Sequence, residues 1–252
     1  MDLGLKGKVA IITGAGSQIG FGKGTAMILA NEGCDIVVGD MDLEGAKLTA
    51  ADVKKTGRKA IAVKVDVTKS ADVQAMVDAA LKEFGKIDIL INNAGVGTQP
   101  KPFVDTTESE WDTNLNINLK GTMLCTKAVL PHMISRKSGK IISMSSTAGV
   151  SGMRTGGVYG AAKGGIIIWT QALAQEVADF GINVNCIAPG LGATNFHKAS
   201  NFPPEYMDKF VKPALAAGKT TTPQDIGNAM AFLASDVSIK ITGQCIKVSG
   251  TM

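Results

Sequence analysis

The sequence predicts an α/β protein, a doubly wound parallel sheet with helices on both faces. Three observations carry that expectation. Short β-branched runs alternate with longer helical patterns almost throughout the 252 residues. Caps and glycine stops bound the helical patterns. Strands separated by helices of this length need parallel pairing with right-handed crossovers.

The elements follow in order. Lys8 to Ile12 reads as a buried strand, and Gly20 to Asn31 as a helix stopped by Gly33. Asp35 to Gly39 is a second strand, and Asp42 is a good N-cap for a helix ending before Gly57. Ala60 to Val65 is a third strand. Ser70 then caps a helix in which Val73, Met76, Val77, Ala80, Leu81 and Phe84 keep a 3.6-residue period. Gly85 ends it, and Ile87 to Ile91 makes strand four. Thr107 and Glu110 form a capping box for a long helix reaching Ile134. Gly139 to Met144, Ile182 to Ala188 and Gln244 to Val248 complete seven strands. A helix from Val158 to Phe180 fills the first of the two gaps between them. Thr222-Pro223-Gln224-Asp225 starts a helix in the second.

Composition narrows the class. At 45% hydrophobic and 19% charged, the chain is globular rather than disordered, collagenous or coiled coil. Its formal charge of +4 is dispersed, with no basic run interleaved with aromatics, so no nucleic-acid partner is expected. The four cysteines lie far apart and only His132 and His197 accompany them, which leaves no zinc ligand set and no expected metal. Scattered thiols, no secretory signal and no apolar run of membrane-spanning length point to a soluble cytoplasmic protein. No linker or repeat divides residues 1–252, so one domain is expected. The one break in rhythm, residues 191–221, carries Pro203-Pro204 and several aromatics in an irregular setting. It sits at the carboxyl end of a strand, where such folds build substrate lids.

The nucleotide end is legible in Thr13-Gly14-Ala15-Gly16-Ser17-Gln18-Ile19-Gly20. A glycine turn between a strand and a helix sets bare N–H groups and a helix N-terminus against a pyrophosphate, with Gly14, Ser17, Gln18, Ile19 and Gly20 as the contacts. Asp40 ends strand two, where a carboxylate accepts both hydroxyls of an adenosine ribose and repels a 2′-phosphate. The nearest following cation is Lys47, so NAD is expected over NADP. A bare turn with Asp42 is the alternative reading of Asp40. Asp66-Val67 leaves strand three, placed to meet the adenine amino group. Asn92-Asn93-Ala94-Gly95 leaves strand four, where small residues admit a ribose. Both stretches occupy the ligand-binding end of this architecture.

The chemical end is Tyr159 with Lys163 four positions on, sharing one helix face. A free phenol titrates near 10, and a nearby ammonium together with an oxidised nicotinamide ring is expected to lower it towards use as a base. Ser146, 13 residues earlier, is placed to bond the substrate oxygen, or is simply part of a serine-rich turn. Asn118 either breaks a helix and holds a relay water or is an ordinary helix asparagine.

Taken together, Thr13-Gly14…Gly20, Asp66, Asn92 to Gly95, Asn118, Ser146, Tyr159-x-x-x-Lys163, Pro189-Gly190 and Thr194 resemble the short-chain dehydrogenase/reductase family over essentially the whole chain. The look is that of its 3-oxoacyl-(acyl carrier protein) reductase-like branch. The resemblance implies a single Rossmann-like domain and hydride transfer between a nicotinamide and a carbonyl or secondary alcohol. It implies Tyr159 as acid/base, Lys163 on the nicotinamide ribose, Ser146 orienting substrate and Asn118 holding the water. It also implies Ala94, Gly95, Pro189, Gly190, Gly192 and Thr194 beside the cofactor, and a homotetramer built on the two long helices.

Two departures stand out. Gln18 replaces the family's middle glycine, and its side chain is expected either to turn to solvent or to reach the cofactor. Gly192 replaces an Ile or Val that packs beside the carboxamide, which is expected to loosen that end. The expected activity is NAD-dependent oxidation of a secondary alcohol, with a hydroxyacyl thioester among the substrates considered. An NADPH-dependent 3-oxoacyl reductase and a non-catalytic nucleotide sensor are the alternatives. Arg154, His197, Lys198, Lys209 and Lys212 near the expected mouth would favour an anionic group, or merely keep the lid soluble.

Overall fold

Every expected strand is present. The computed structural model describes residues 2–192 and 194–250, with the side chains of Lys198 and Ala199 outside that description, so Lys198 is not placed at the mouth. Seven parallel strands, β1 (Val9–Thr13), β2 (Asp35–Asp40), β3 (Ala60–Lys64), β4 (Ile89–Asn92), β5 (Gly139–Met144), β6 (Ile182–Pro189) and β7 (Cys245–Val248), stand in the order β3-β2-β1-β4-β5-β6-β7. The order reverses between β1 and β4. The crevice beyond their carboxyl ends is therefore where this topology takes a ligand.

The central strands are apolar on both faces, as a sheet covered twice must be. Ala10 and Ile12 of β1, Ile89 and Ile91 of β4, and Ile142 and Met144 of β5 face one core layer. That layer is closed by α1 (Phe21–Asn31), α2 (Leu43–Lys55) and the helix that precedes β7. Ile11, Leu90 and Ile141 alternate to the other layer, closed by α3 (Ser70–Phe84) and the two long helices before and after β5.

Helix starts follow local chemistry. Asp42 Oδ1 accepts from Gly45 N–H at 3.1 Å and caps α2. Ser70 is the first residue of α3 and not its cap, because Lys69 holds the extended position before it. The Thr107–Glu110 box is closed both ways and opens α4 (Glu108–Asn114). α4 passes through a π-helical turn, Leu115–Lys120, into α5 (Gly121–Arg136). The long helix expected from Thr107 to Ile134 thus carries a bulge at Asn118, in line with the helix break considered there and a device that recurs at functional sites. Beyond β5 come α6 (Thr147–Ser151) and α7 (Gly157–Glu176), with a 3-10 turn over Ala178–Phe180.

Residues 191–221 are not irregular. They form α8 (Phe196–Ala199), α9 (Pro204–Tyr206), a π-helical turn Met207–Val211, and α10 (Lys212–Ala216). Pro204 sits in the first turn of α9, where its missing N–H costs nothing. Phe202, Tyr206 and Phe210 at four-residue spacing stack along this segment, at 4.9 and 5.1 Å between ring centroids. The two ends of the segment are clasped by a parallel bridge between Gly192 and Thr221, and Thr221 Oγ1 donates to Val248 O of β7 at 3.1 Å. The last helix, α11 (Pro223–Ala234), opens on the Thr222–Asp225 box and packs on α1.

Candidate active site

The glycine turn is fastened to the end of β4 by Thr13 and Asn93, which stand in the two motifs but are not among the expected contacts. Thr13 Oγ1 accepts from the N–H groups of Asn93 and Ala94, both at 3.1 Å. Asn93 Nδ2 donates to Thr13 O at 2.9 Å and Gly14 O at 2.7 Å. Sequence reasoning passed over the roles of Thr13 and Asn93. The available signal was an amide one residue past β4, level with the turn after β1. Gly14 has φ +66°, and a Cβ there would lie 2.7 Å from Ala94 Cα, so only glycine lets the two loops meet.

The turn fits a dinucleotide on two counts. Gly20 precedes α1 with no side-chain cap, leaving the first N–H groups of an 11-residue helix open to an anion. Ser17 Oγ is buried with no partner among the described residues, a donor that a phosphate oxygen would satisfy. Ile19 stands 53% exposed above the turn.

Gln18 is exposed as a residue, but its amide is not left to solvent. Its amide turns back into the protein, where Nε2 donates to Gly16 O at 2.7 Å, Gly45 O at 3.0 Å and Thr49 Oγ1 at 3.3 Å. Lys23 Nζ donates to Gln18 Oε1 at 2.6 Å and pairs with Asp52. The side chain therefore ties the turn to α2. A glycine at this position leaves that tie unmade.

Asp40 is half-buried and already engaged by backbone. Its Oδ2 accepts from Gly16 N–H at 2.7 Å and its Oδ1 from Asp42 N–H at 2.9 Å. Two carboxylate oxygens carry about four acceptor sites, so capacity for ribose hydroxyls remains. Asp66 Oδ1 accepts from Thr68 N–H at 3.0 Å and Thr68 Oγ1 at 2.7 Å. Those bonds, with the Lys69 ammonium, hold its carboxyl below the usual carboxylate range. Asn92 departs from the expectation. Its side chain points into the sheet, donating to Thr126 Oγ1 at 3.0 Å and Ser143 Oγ at 3.2 Å. It anchors β4 to its neighbours and does not face the crevice, because alternation along the strand sends it to the α5 side.

At the chemical end, four separate segments converge. Ser146 sits between β5 and α6, Oγ accepting from Ala148 N–H at 3.2 Å, and hydrogen-bonds Tyr159 of α7. Lys163, one turn on, is buried; its Nζ lies 5.8 Å from the Tyr159 ring centroid and donates to Met144 O at 2.8 Å. Asn118 is buried in the π turn, its amide bonded to both backbone groups of Val96 and to Asn114. All of this gathers under Gly95, where a Cβ would stand 2.7 Å from Asn118 Oδ1 and 3.3 Å from Lys163 Nζ.

The electrostatics run against one expectation. Burial pushes the Tyr159 phenol up to about 12, against the lowering effect of the Ser146 hydrogen bond. Burial also brings the Lys163 ammonium down to about 7. Among the protein's own groups only the Ser146 hydrogen bond lowers the phenol, and burial outweighs it, so the lowering expected at this site is left to the ammonium acting together with a bound nicotinamide ring.

Pro189 and Gly190 end β6 against β7, Gly190 N–H donating to Val248 O at 3.1 Å. Thr194 Oγ1 accepts from Phe196 N–H at 3.2 Å and so opens α8. Gly192 is buried, and the space of a side chain there is taken by Phe21, whose Cζ would lie 2.5 Å from a Cβ. The end is filled from α1, not loosened. Gly192→Ile is expected to cost about 1–3 kcal/mol of stability by overpacking. Combining it with Phe21→Ala recovers most of that loss, as read by urea denaturation of the four species. Independent, additive costs would show that the two positions do not share one space.

Comparison with known proteins decides the family. A family model described as enoyl-(acyl carrier protein) reductase matches residues 14–252. The chain is 38% identical over 248 residues to the (2S)-[(R)-hydroxy(phenyl)methyl]succinyl-CoA dehydrogenase subunit BbsD of Thauera aromatica, covering 98% of this chain and 97% of that one. It belongs to the short-chain dehydrogenase/reductase family. A second relative, 36% identical over 96% of this chain and 95% of its own, is the cis-4-hydroxycyclohexanecarboxylate dehydrogenase of Sinomonas cyclohexanicum. Among solved structures, the 3-ketoacyl-(acyl carrier protein) reductase of Brucella melitensis complexed with NADH superposes with a TM-score of 0.87. It is 36% identical, with 98% of each chain covered. The chain is accordingly an oxidoreductase of CH–OH groups, in a family that uses nicotinamide cofactors. No group of three or more metal-ligating side chains occurs among the described residues, and none of their helices is long and apolar enough to cross a membrane.

Proposed function

We propose that this dehydrogenase oxidises a secondary alcohol to a ketone with NAD as its preferred acceptor. The observation that carries the reading is the convergence of Ser146, Tyr159, Lys163 and Asn118 under Gly95, at the mouth of the crevice between β1 and β4. A bound nicotinamide supplies the hydride chemistry. The chain's own residues handle the proton and the geometry. Ser146 Oγ orients the substrate oxygen, and Tyr159 Oη takes its proton. Lys163, as an ammonium, favours the phenolate that results. The amide of Asn118 is committed to Val96 and Asn114, so a relay water is assigned to its main-chain carbonyl, which has lone-pair capacity beyond the Thr122 hydroxyl it accepts at 2.8 Å.

NAD rather than NADP is favoured by the Asp40 carboxylate at the end of β2, with no cation bonded to it among the described residues. The cofactor contacts assigned are Gly14, Ser17, the Gln18 backbone, Ile19, Gly20, Asp40, Asp66, Val67, Ala94, Gly95, Pro189, Gly190, Gly192 and Thr194, with Tyr159 and Lys163 at the ribose. The substrate assigned is a hydroxy compound bearing a ring or a carboxylate or thioester, by likeness to the relatives from Thauera and Sinomonas. A homotetramer built on the two long helices and a cytoplasmic location belong to this reading, the free thiols Cys34, Cys125, Cys186 and Cys245 being in keeping with a reducing compartment.

Purified protein is expected to reduce NAD with cis-4-hydroxycyclohexanecarboxylate, cyclohexanol or a 3-hydroxyacyl-CoA, followed as NADH absorbance. Turnover only with NADPH and 3-oxoacyl thioesters would replace this reading with the biosynthetic reductase. NADH binding without turnover of any carbinol would replace it with a nucleotide sensor.

A further inference from the structure

The lid and the loop after β4 each hold one buried polar group that the chemistry above leaves unused. His197, on α8, is 6% exposed, and its Nδ1 has no hydrogen-bond partner among the described residues. Thr98, in the loop after β4, is 9% exposed, and its Oγ1 is likewise buried and unpartnered. The two belong to one cluster. Gly97, beside Thr98, donates to Ser200 Oγ at 2.8 Å, and a Cβ there would meet both Phe196 and Phe202 at 2.9 Å. Those same rings flank the imidazole, with centroids 5.8 and 5.1 Å away and near-perpendicular planes.

Phe196 also links this cluster to the chemistry, since its ring lies 6.0 Å from that of Tyr159. A substrate laid along Phe196 puts its carbinol at Tyr159 and its far end at the imidazole. Buried donors and acceptors are almost always satisfied, so two beside one aromatic cluster that adjoins Tyr159 point to a partner that arrives with the substrate. Burial holds the imidazole below its ordinary pKa, which keeps it neutral.

We propose that His197 and Thr98 form the polar end of the substrate pocket, where two neutral donors bind a second oxygen function of the substrate, a carboxylate or a carbonyl. Phe196 is the wall that spaces this group from the carbinol. The inference deepens the dehydrogenase reading and rests on it for the identity of the reacting end.

The test separates the two. Binding of cyclohexanecarboxylate to the protein–NADH complex is measured by calorimetry, alongside cyclohexanol and cyclohexylammonium. The acid is expected to bind the wild type more tightly than either comparison compound. His197→Phe and Thr98→Val are each expected to weaken it about 10-fold, as loss of one hydrogen bond to a charged group does. His197→Asn and Thr98→Ser, which keep a donor, retain most of the affinity. In turnover, His197→Phe lowers the ratio of kcat/KM for cis-4-hydroxycyclohexanecarboxylate to that for cyclohexanol by a similar factor, mainly through KM. Tighter binding of the ammonium, or equal loss for acid and alcohol with no rescue by Asn, overturns the proposal. Selective acid binding by a protein that turns over no carbinol would leave the subsite standing and overturn the dehydrogenase reading alone.

Discussion

Tyr159→Phe is expected to lower kcat for alcohol oxidation by about 10²- to 10⁴-fold, the range for loss of a positioned general acid/base. NADH affinity should change by less than about 3-fold. The exchange deletes one hydroxyl, leaves the ring against Phe196 and removes only the Ser146 hydrogen bond. The pH profile adds a second reading. Oxidation needs Tyr159 Oη without its proton, so the wild-type rate falls as pH falls, and that dependence disappears in the Phe variant. Taken singly, each group is pushed by burial towards its neutral form, Lys163 down to about 7 and Tyr159 up to about 12. Phenolate and ammonium stabilise each other, so the pair titrates with shared macroscopic values, not with those of either group in isolation. Turnover of the Phe variant within about 3-fold of wild type would remove Tyr159 from the chemistry. NADH fluorescence titration checks that the fold of the crevice has survived.

Asp40→Asn should raise the NADPH-to-NADH affinity ratio by about 10²- to 10³-fold. The size follows from Coulomb's law, since a unit charge pair near 4 Å at an effective dielectric of 20 is worth about 4 kcal/mol. Salt and solvent at a half-exposed site bring the observable effect towards the lower figure. Asn is chosen over Ala because Asp40 also accepts from Gly16 and Asp42 N–H groups, and an amide oxygen keeps one of those bonds. The two roles then give different signatures. A carboxylate that excludes the 2′-phosphate changes the ratio, whereas one that only ties the turn weakens both cofactors equally. Paired titrations of wild type and variant with NADH and NADPH decide between them, and an unchanged ratio would sink the NAD assignment.

The strands and helices were readable because their signals are local. Continuous apolar runs of four to six residues, capping boxes at Thr107 and Thr222, and glycines past helix ends act within a few residues of where they stand. The lid reads as irregular because Pro203-Pro204 interrupts the helical pattern, whereas the i, i+4 spacing of Phe202, Tyr206 and Phe210 matches the short helical turns that form there. The π turn at Asn118 has no marker of its own in the sequence. Of the site, the identities of Ser146, Tyr159, Lys163 and Asn118 were legible from order and spacing.

What the sequence alone determined is the architecture and the end of the sheet that carries the chemistry, since parallel pairing and crossover hand leave little choice once the elements alternate. Direction and neighbourhood were decided only in three dimensions. Gln18 turns to Gly45 and Thr49, Asn92 into the sheet, and Phe21 into the space beside Gly192. Each depends on contacts with residues 27 to 171 positions away, and no local pattern encodes which of two faces or neighbours a side chain will meet. The Tyr159 phenol makes the same point in electrostatic form. Its spacing to Lys163 is written in the chain, but the burial that pushes it up to about 12 is a property of the closed lid and sheet around it.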